Sequence, residues 1–212
     1  MKTGLLTERP TASWRRLVLT SVVGGAALCC LPAASARAAL ISTTACDNAP
    51  LTQPFARWGD TNPYKRVPGG NFEGSLAGWK LTGGAHVVSG NESFGVAGGT
   101  HSLYLPAGAS ATTPLTCVNA AYPTARFFAK NDGLLSNVVV QLLYKDPVVG
   151  LVPIPAGTAT LSWSWSPTLP MLTLSAVPGL LDGGTAQVAL RFTALLGPSQ
   201  IDDIFIDPRM KG

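Results

Sequence analysis

The chain has 212 residues, of which 46% are hydrophobic and only 12% charged, with 15 Lys+Arg against 11 Asp+Glu for a formal net charge of +4. The first 38 residues hold five of the basic groups and one of the acidic, so ten of each remain beyond them and the rest of the chain is close to neutral. That balance excludes an electrostatic nucleic-acid binder, whose footprint is a basic stripe on the folded domain, and about 170 residues are enough for one domain with its own core.

Residues 1–38 read as a signal peptide. A positive leader with Arg9, Arg15 and Arg16 runs into an apolar stretch over 17–32 and then into small residues over 33–39. The apolar stretch is too short and too glycine-interrupted for a good membrane span, so no span is expected once the signal is removed. The protein is then expected to be extracellular or at the cell surface. Trp14-Arg15-Arg16-Leu17 resembles a twin-arginine export signal, with the general secretory route as the alternative. Cys29 and Cys30 leave with the leader, and Leu28 stands where a lipoprotein signal carries a small residue.

Two cysteines remain, Cys46 and Cys117, and in an exported protein an even pair reads as a disulfide. Closing a loop of about 71 residues stabilises a fold by roughly 4 kcal/mol on the chain-entropy account. A metal site has no CxxC spacing and no nearby histidine to support it.

Residues 39–68 read as an extended N-terminal arm. Pro50, Pro54, Pro63 and Pro68 break any regular element, while Phe55, Trp58 and Tyr64 are anchors that a disordered linker lacks. The folded domain is expected over 69–210. It opens on a Gly-rich stretch over 69–79 and closes on Ile201-Asp-Asp-Ile-Phe-Ile-Asp207, expected to be its first and last strands. Between these lie short alternating or apolar runs at 85–89, 102–105, 124–130, 137–145, 148–154, 158–165, 171–177 and 185–195. They are separated by turn signals such as Asp182-Gly-Gly184 and Gly197-Pro198. Short strands so punctuated indicate an all-β sandwich or barrel, and no segment has the 3.6-residue period of a long helix.

Alternation sorts the faces. Val188, Leu190 and Phe192 oppose Gln187, Arg191 and Thr193; Val138, Val140 and Leu142 oppose Asn137, Gln141 and Lys145; Ala125, Phe127 and Ala129 oppose Arg126, Phe128 and Lys130. These strands are expected to build one polar face carrying Arg126, Lys130, Gln141, Lys145, Gln187 and Arg191, which is either a ligand site or solvated surface. In Ser162-Trp-Ser-Trp-Ser166, Trp163 and Trp165 share a face, as a platform for a sugar ring or as the inward side of a half-buried strand.

The two ends carry a resemblance. Gly-Gly-Asn-Phe-Glu at 69–73, Gly78-Trp79, Ser102-Leu-Tyr-Leu105 and Ile201-Asp-Asp-Ile-Phe-Ile-Asp207 resemble the carbohydrate-binding modules of the galactose-binding-like jelly-roll type. The whole chain after the leader also looks like a group of bacterial secreted proteins sharing the Cys, Phe-Glu-Gly, Pro-Thr-Leu-Pro-Met and Ile-Asp-Asp pattern. The resemblance implies a jelly-roll β-sandwich of two antiparallel sheets. It also implies a structural calcium between Glu73 and Asp202 or Asp203, the alternative being a carboxylate that accepts backbone N–H groups. Strand alternation allows only one of the two aspartates to face inward.

Catalytic signatures are absent: no Gly-x-Ser-x-Gly, no His-Glu-x-x-His and no phosphate loop, while His86 and His101 are far apart in sequence with no carboxylate close by. The expectation is a non-catalytic binding module, with Arg126, Gln141, Gln187, Arg191, Trp163 and Trp165 as ligand candidates for a polysaccharide. The alternative is an extracellular structural or protein-interaction domain that meets a cell-surface protein through apolar loops over 147–155 and 178–181.

Overall fold

A computed structural model of the protein describes residues 49–119, 124–146, 148–172 and 185–207. Cys46, the leader, the apolar loop 178–181 and most of the expected 171–177 strand therefore lie outside the described residues.

The strands in chain order are β1 (Lys65–Arg66), β2 (Lys80–Thr82), β3 (His86–Ser89), β4 (His101–Leu105), β5 (Ser110–Thr112), β6 (Thr116–Asn119) and β7 (Thr124–Asn131), then β8 (Asn137–Asp146), β9 (Gly150–Thr160), β10 (Ser166–Pro167), β11 (Met171–Leu172), β12 (Thr185–Ala194) and β13 (Ser199–Ile206). They form a β-sandwich of two antiparallel sheets. The first runs β10-β7-β13-β4-β3, with β1 added to β13 and β11 to β7. The second runs β2-β5-β12-β8-β9, with β6 added to β12.

Period-two alternation builds the core. Val138, Val140 and Leu142 of β8 and Val188, Leu190 and Phe192 of β12 face Ala125, Phe127 and Ala129 of β7 and Leu103 and Leu105 of β4 in one buried cluster. Phe127 and Phe192 meet edge-on across the sheets at 5.0 Å. Apolar burial of this kind contributes about 1.5–3 kcal/mol for each large side chain.

A second cluster lies on the outer face of the first sheet. Phe55 and Tyr64, from the segment before β1, are buried there with Phe128 of β7 and Phe205 of β13. The Phe55 and Phe128 rings stack at 5.5 Å, and Tyr64 meets Phe55 edge-on at 5.2 Å.

Three expectations about elements need correction. The stretch 69–79 is turns and bends, and the strand that opens the domain is the two-residue β1. The start of that stretch and the end of the arm do meet the last strand: Ile204 N–H donates to Gly70 O at 3.0 Å and Val67 N–H to Ile204 O at 2.9 Å. A Cβ on Gly70 would lie 2.9 Å from Val67 O, which is why the approach needs glycine there. The runs 148–154 and 158–165 are parts of one strand, β9, that ends at Thr160. It accommodates Pro153 and Pro155 because it is an edge strand, where a missing N–H costs little. The strand carrying Trp163 and Trp165 does not exist; both lie beyond the end of β9.

Candidate functional site

The expected single polar face is divided between the two sheets. β7 belongs to the first sheet and β8 and β12 to the second, so Arg126 and Lys130 point away from one side of the sandwich and Gln141, Gln187 and Arg191 from the other.

Arg126 is not at an accessible surface. It is 5% exposed under the arm. Its Nη1 donates to Asp60 Oδ2 at 2.6 Å, its Nε to Thr168 O at 2.8 Å, and its guanidinium lies 4.2 Å from the Phe55 ring centre. Burial works to raise the Asp60 pKa, but hydrogen bonds from Arg126 and Tyr64 hold it below the ordinary carboxylate value. Tyr64 donates its hydroxyl to the same Asp60 Oδ2 at 2.8 Å, and burial pushes its own pKa up to about 12. Arg126 is therefore a tie between the segment before β1 and the first sheet.

On the second sheet, strand register brings two of the expected residues together. Arg191 is directly opposite Gln141 of β8 on one side and Thr112 of β5 on the other, and Thr112 is opposite Lys80 of β2. Directly opposed residues share a face. The result is a row of amide, guanidinium, hydroxyl and ammonium across four adjacent strands. Arg191 Nε donates to Thr112 Oγ1 at 3.3 Å, which fixes the side chain along the row. A parallel row holds Thr82, Ser110 and Thr193, with Ser110 Oγ and Thr193 Oγ1 2.9 Å apart. Among the described residues, no carboxylate pairs with Arg191 or Lys80. Gln187 lies four residues from Arg191, about 13 Å along the strand, with buried Ala189 between them. The sequence reading missed Lys80 and Thr112 because β2 and β5 have three residues each, too few to display a period.

Trp163 and Trp165 are not a joint platform. Trp163 is 63% exposed, whereas Trp165 is partly buried against the Phe128 cluster with Lys130 Nζ 5.4 Å from its ring centre. Neither reading of the serine-tryptophan repeat holds, because the chain there is a bend and alternation does not apply.

The carboxylates are arranged differently from expectation. Both Asp202 and Asp203 are fully buried. The register shifts between Asp202 and Phe205, and Asp203 takes a left-handed φ of 47°, so a bulge breaks the alternation that was to send one aspartate outward. Asp202 Oδ2 accepts from Glu92 N–H at 2.9 Å, Asp202 Oδ1 from Asp203 N–H at 2.8 Å, and Asp203 Oδ2 from Ala97 N–H at 2.9 Å. Glu92, which the sequence reading did not assign to this group, is buried beside them and accepts from Phe94 and Val96 N–H. Nothing in its spacing could have pointed to it, since it comes from a loop 110 residues away.

Burial, joined by the neighbouring carboxylates, pushes Asp202 up to about 8 and Asp203 up to about 6. Asp203 Oδ1 is buried with no hydrogen-bond partner. Charge thus favours a cation here, but convergence does not. Five of the six carboxylate oxygens already accept backbone N–H groups, and among the described residues no three His, Cys, Asp or Glu side chains converge to hold a metal.

Glu73 has other partners. Its Oε1 accepts from Thr100 and His101 N–H at 2.6 and 2.5 Å, and its Oε2 lies 3.0 Å from His101 Nδ1. The His101 imidazole, with those two N–H groups, brings its pKa down to about 2. The fold thus supplies the carboxylate that the sequence placed far from His101.

The chain matches no protein-family model and no curated sequence. It is similar to several solved structures. One is the CBM22-1 and GH10 modules of Clostridium thermocellum xylanase 10B complexed with xylohexaose, at 17% identity and TM-score 0.48 over 67% of this chain and 28% of that one. Another is TmCBM61 in complex with β-1,4-galactotriose, at 15% identity and TM-score 0.42 over 68% and 99%. A third is the CBM22-1 xylan-binding domain of Paenibacillus barcinonensis Xyn10C, at 12% identity and TM-score 0.45 over 64% and 88%. No helix of the described residues is long and apolar enough to cross a membrane.

Proposed function

We propose that the protein is an exported, non-catalytic carbohydrate-binding module whose ligand lies on the outer face of the second sheet. The observation that carries this is the row Gln141, Arg191, Thr112 and Lys80, in register on four adjacent strands with no carboxylate to neutralise it among the described residues. Planar amides and guanidinium groups read sugar hydroxyls through paired hydrogen bonds, and hydrogen bonds to a charged group contribute about 1.5–3 kcal/mol each. Unpaired cations in the row favour glycans that carry carboxylate or sulfate groups. A glycan array probed with and without calcium tests the reading: binding to polysaccharides, strongest for acidic ones, supports it, and silence on every glycan in both conditions overturns it.

Export through a twin-arginine or general secretory signal and a disulfide between Cys46 and Cys117 belong to the same proposal. The structural calcium ion that the resemblance implies is not carried into it: five of the six carboxylate oxygens of Glu92, Asp202 and Asp203 already accept backbone N–H groups, Glu73 is engaged by Thr100 and His101, and no metal-holding cluster forms among the described residues.

A further inference from the structure

A groove of about 500 Å³ opens between the free edges of the two sheets. One wall is residues 156–161, the end of β9 and the residue after it; the other is residues 166–171, spanning β10 to β11; Ala129 of β7 contributes between them. Both walls are consecutive runs. A sheet face would contribute every second residue, so the β9 wall presents its strand edge with backbone N–H and C=O groups, whereas the other wall joins two short strands through 168–170 and carries Pro167 and Pro170, which lack N–H donors.

β9 is the last strand of its sheet and pairs only with β8 among the described residues. Its first half is guarded. Pro153 and Pro155 lack N–H donors, and the register shift opposite Val140 and Gln141 leaves Ala156 as the extra residue of a bulge, both devices that block edge pairing. Its second half, Gly157 to Thr160, is regular, proline-free and in register with β8. The floor is small and apolar: Ala129, Ala159 and Met171 are buried, and a Cβ on Gly157 would lie 3.2 Å from Met171 Cγ. Leu169, 81% exposed on the opposite wall, and Trp163, in the turn joining the walls, stand as exposed apolar groups. Among the described residues, no ionisable residue lines the groove.

We propose that this groove binds an extended, uncharged peptide segment of a partner protein, which adds a strand to β9 over about five residues, or about 16 Å. Backbone pairing with the unguarded edge supplies the register. The apolar floor takes one alternate side chain, and Trp163 and Leu169 flank the segment. The uncharged lining of both walls among the described residues selects a neutral segment. A glycan fits less well, since among the described residues no amide, carboxylate, guanidinium or aromatic side chain lines the walls to read a sugar. A second copy fits less well too: five paired residues bury far less than the roughly 800 Å² per partner of a stable interface, and the proline-guarded halves would face each other. The proposal is independent of the glycan reading of the second sheet.

The test is selection from a random heptapeptide library on the exported protein, followed by hydrogen exchange with each selected peptide. Uncharged peptides with alternate apolar residues are expected. They should slow exchange of the amides over 156–160, and N-methylation of alternate peptide amides should weaken binding at least about tenfold. Thr158→Lys, on the exposed edge, and Leu169→Ala should each reduce affinity about tenfold while leaving the melting temperature unchanged. Selection of no peptide, peptides indifferent to Thr158→Lys, or equal binding of the N-methylated forms would overturn the proposal. So would protection of 156–160 by xylohexaose instead, or by self-association without peptide.

Discussion

Arg126 and Arg191 occupy equivalent outward positions on opposite sheets, and their surroundings give them different work. Arg126 is covered by the chain before β1 and compensated by Asp60, whereas Arg191 lies between the neutral side chains of Gln141 and Thr112. Removing one partner of a buried ion pair leaves an uncompensated charge and costs about 3 kcal/mol or more. Arg126→Ala is therefore expected to lower unfolding stability by about 3 kcal/mol, measured by urea denaturation, and to leave glycan affinity of the folded fraction unchanged. A fall in affinity without a fall in stability would place Arg126 in the site after all.

At the scale of elements, β13 carries a strong conflict. Its bulge buries Asp202 and Asp203 beside Glu92, and burial holds the two aspartates at about 8 and about 6. An unfolded aspartate has its ordinary value of about 4, so between about 4 and about 8 the folded chain binds more protons than the unfolded one. Stability is then expected to fall as pH rises through that window when thermal melting is followed; a protein whose stability rises with pH over that range would contradict this account of the cluster.

The same strand shows why the sequence was only partly legible. Alternation in β7, β8 and β12 reported the inward residues correctly, because long regular strands display their period. It failed at Asp203, where one residue in the left-handed region reverses every direction after it, and at Trp163, where the strand had already ended. Pairing between strands has no local signature, so Arg126 could be joined on paper to a face of the wrong sheet. Glu92 and Lys80 acquire meaning only through partners that the fold brings from far along the chain.

For the whole molecule, two covers are laid over the first sheet, the aromatic arm with Phe55 and Tyr64 and the carboxylate-rich loops at β13, while the polar row of the second sheet carries Arg191 and Lys80, which pair with no carboxylate among the described residues. In the proposed reading, one side serves stability and the other recognition. The proposed Cys46–Cys117 bond adds to the first role. Its reduction is expected to lower stability by roughly 4 kcal/mol in denaturant unfolding, as closing a long loop requires; an unchanged midpoint with and without reductant would show that the bond is not there.

The division of labour is tested most directly by titration calorimetry of the strongest glycan from the array against three proteins: wild type, Arg191→Ala and Trp163→Ala. Loss of the guanidinium is expected to weaken binding about tenfold or more, the equivalent of one charged hydrogen bond, with the melting temperature unchanged, and loss of the exposed indole to leave affinity as it was. Full affinity in Arg191→Ala together with lost affinity in Trp163→Ala would move the glycan off the second sheet and contradict the account.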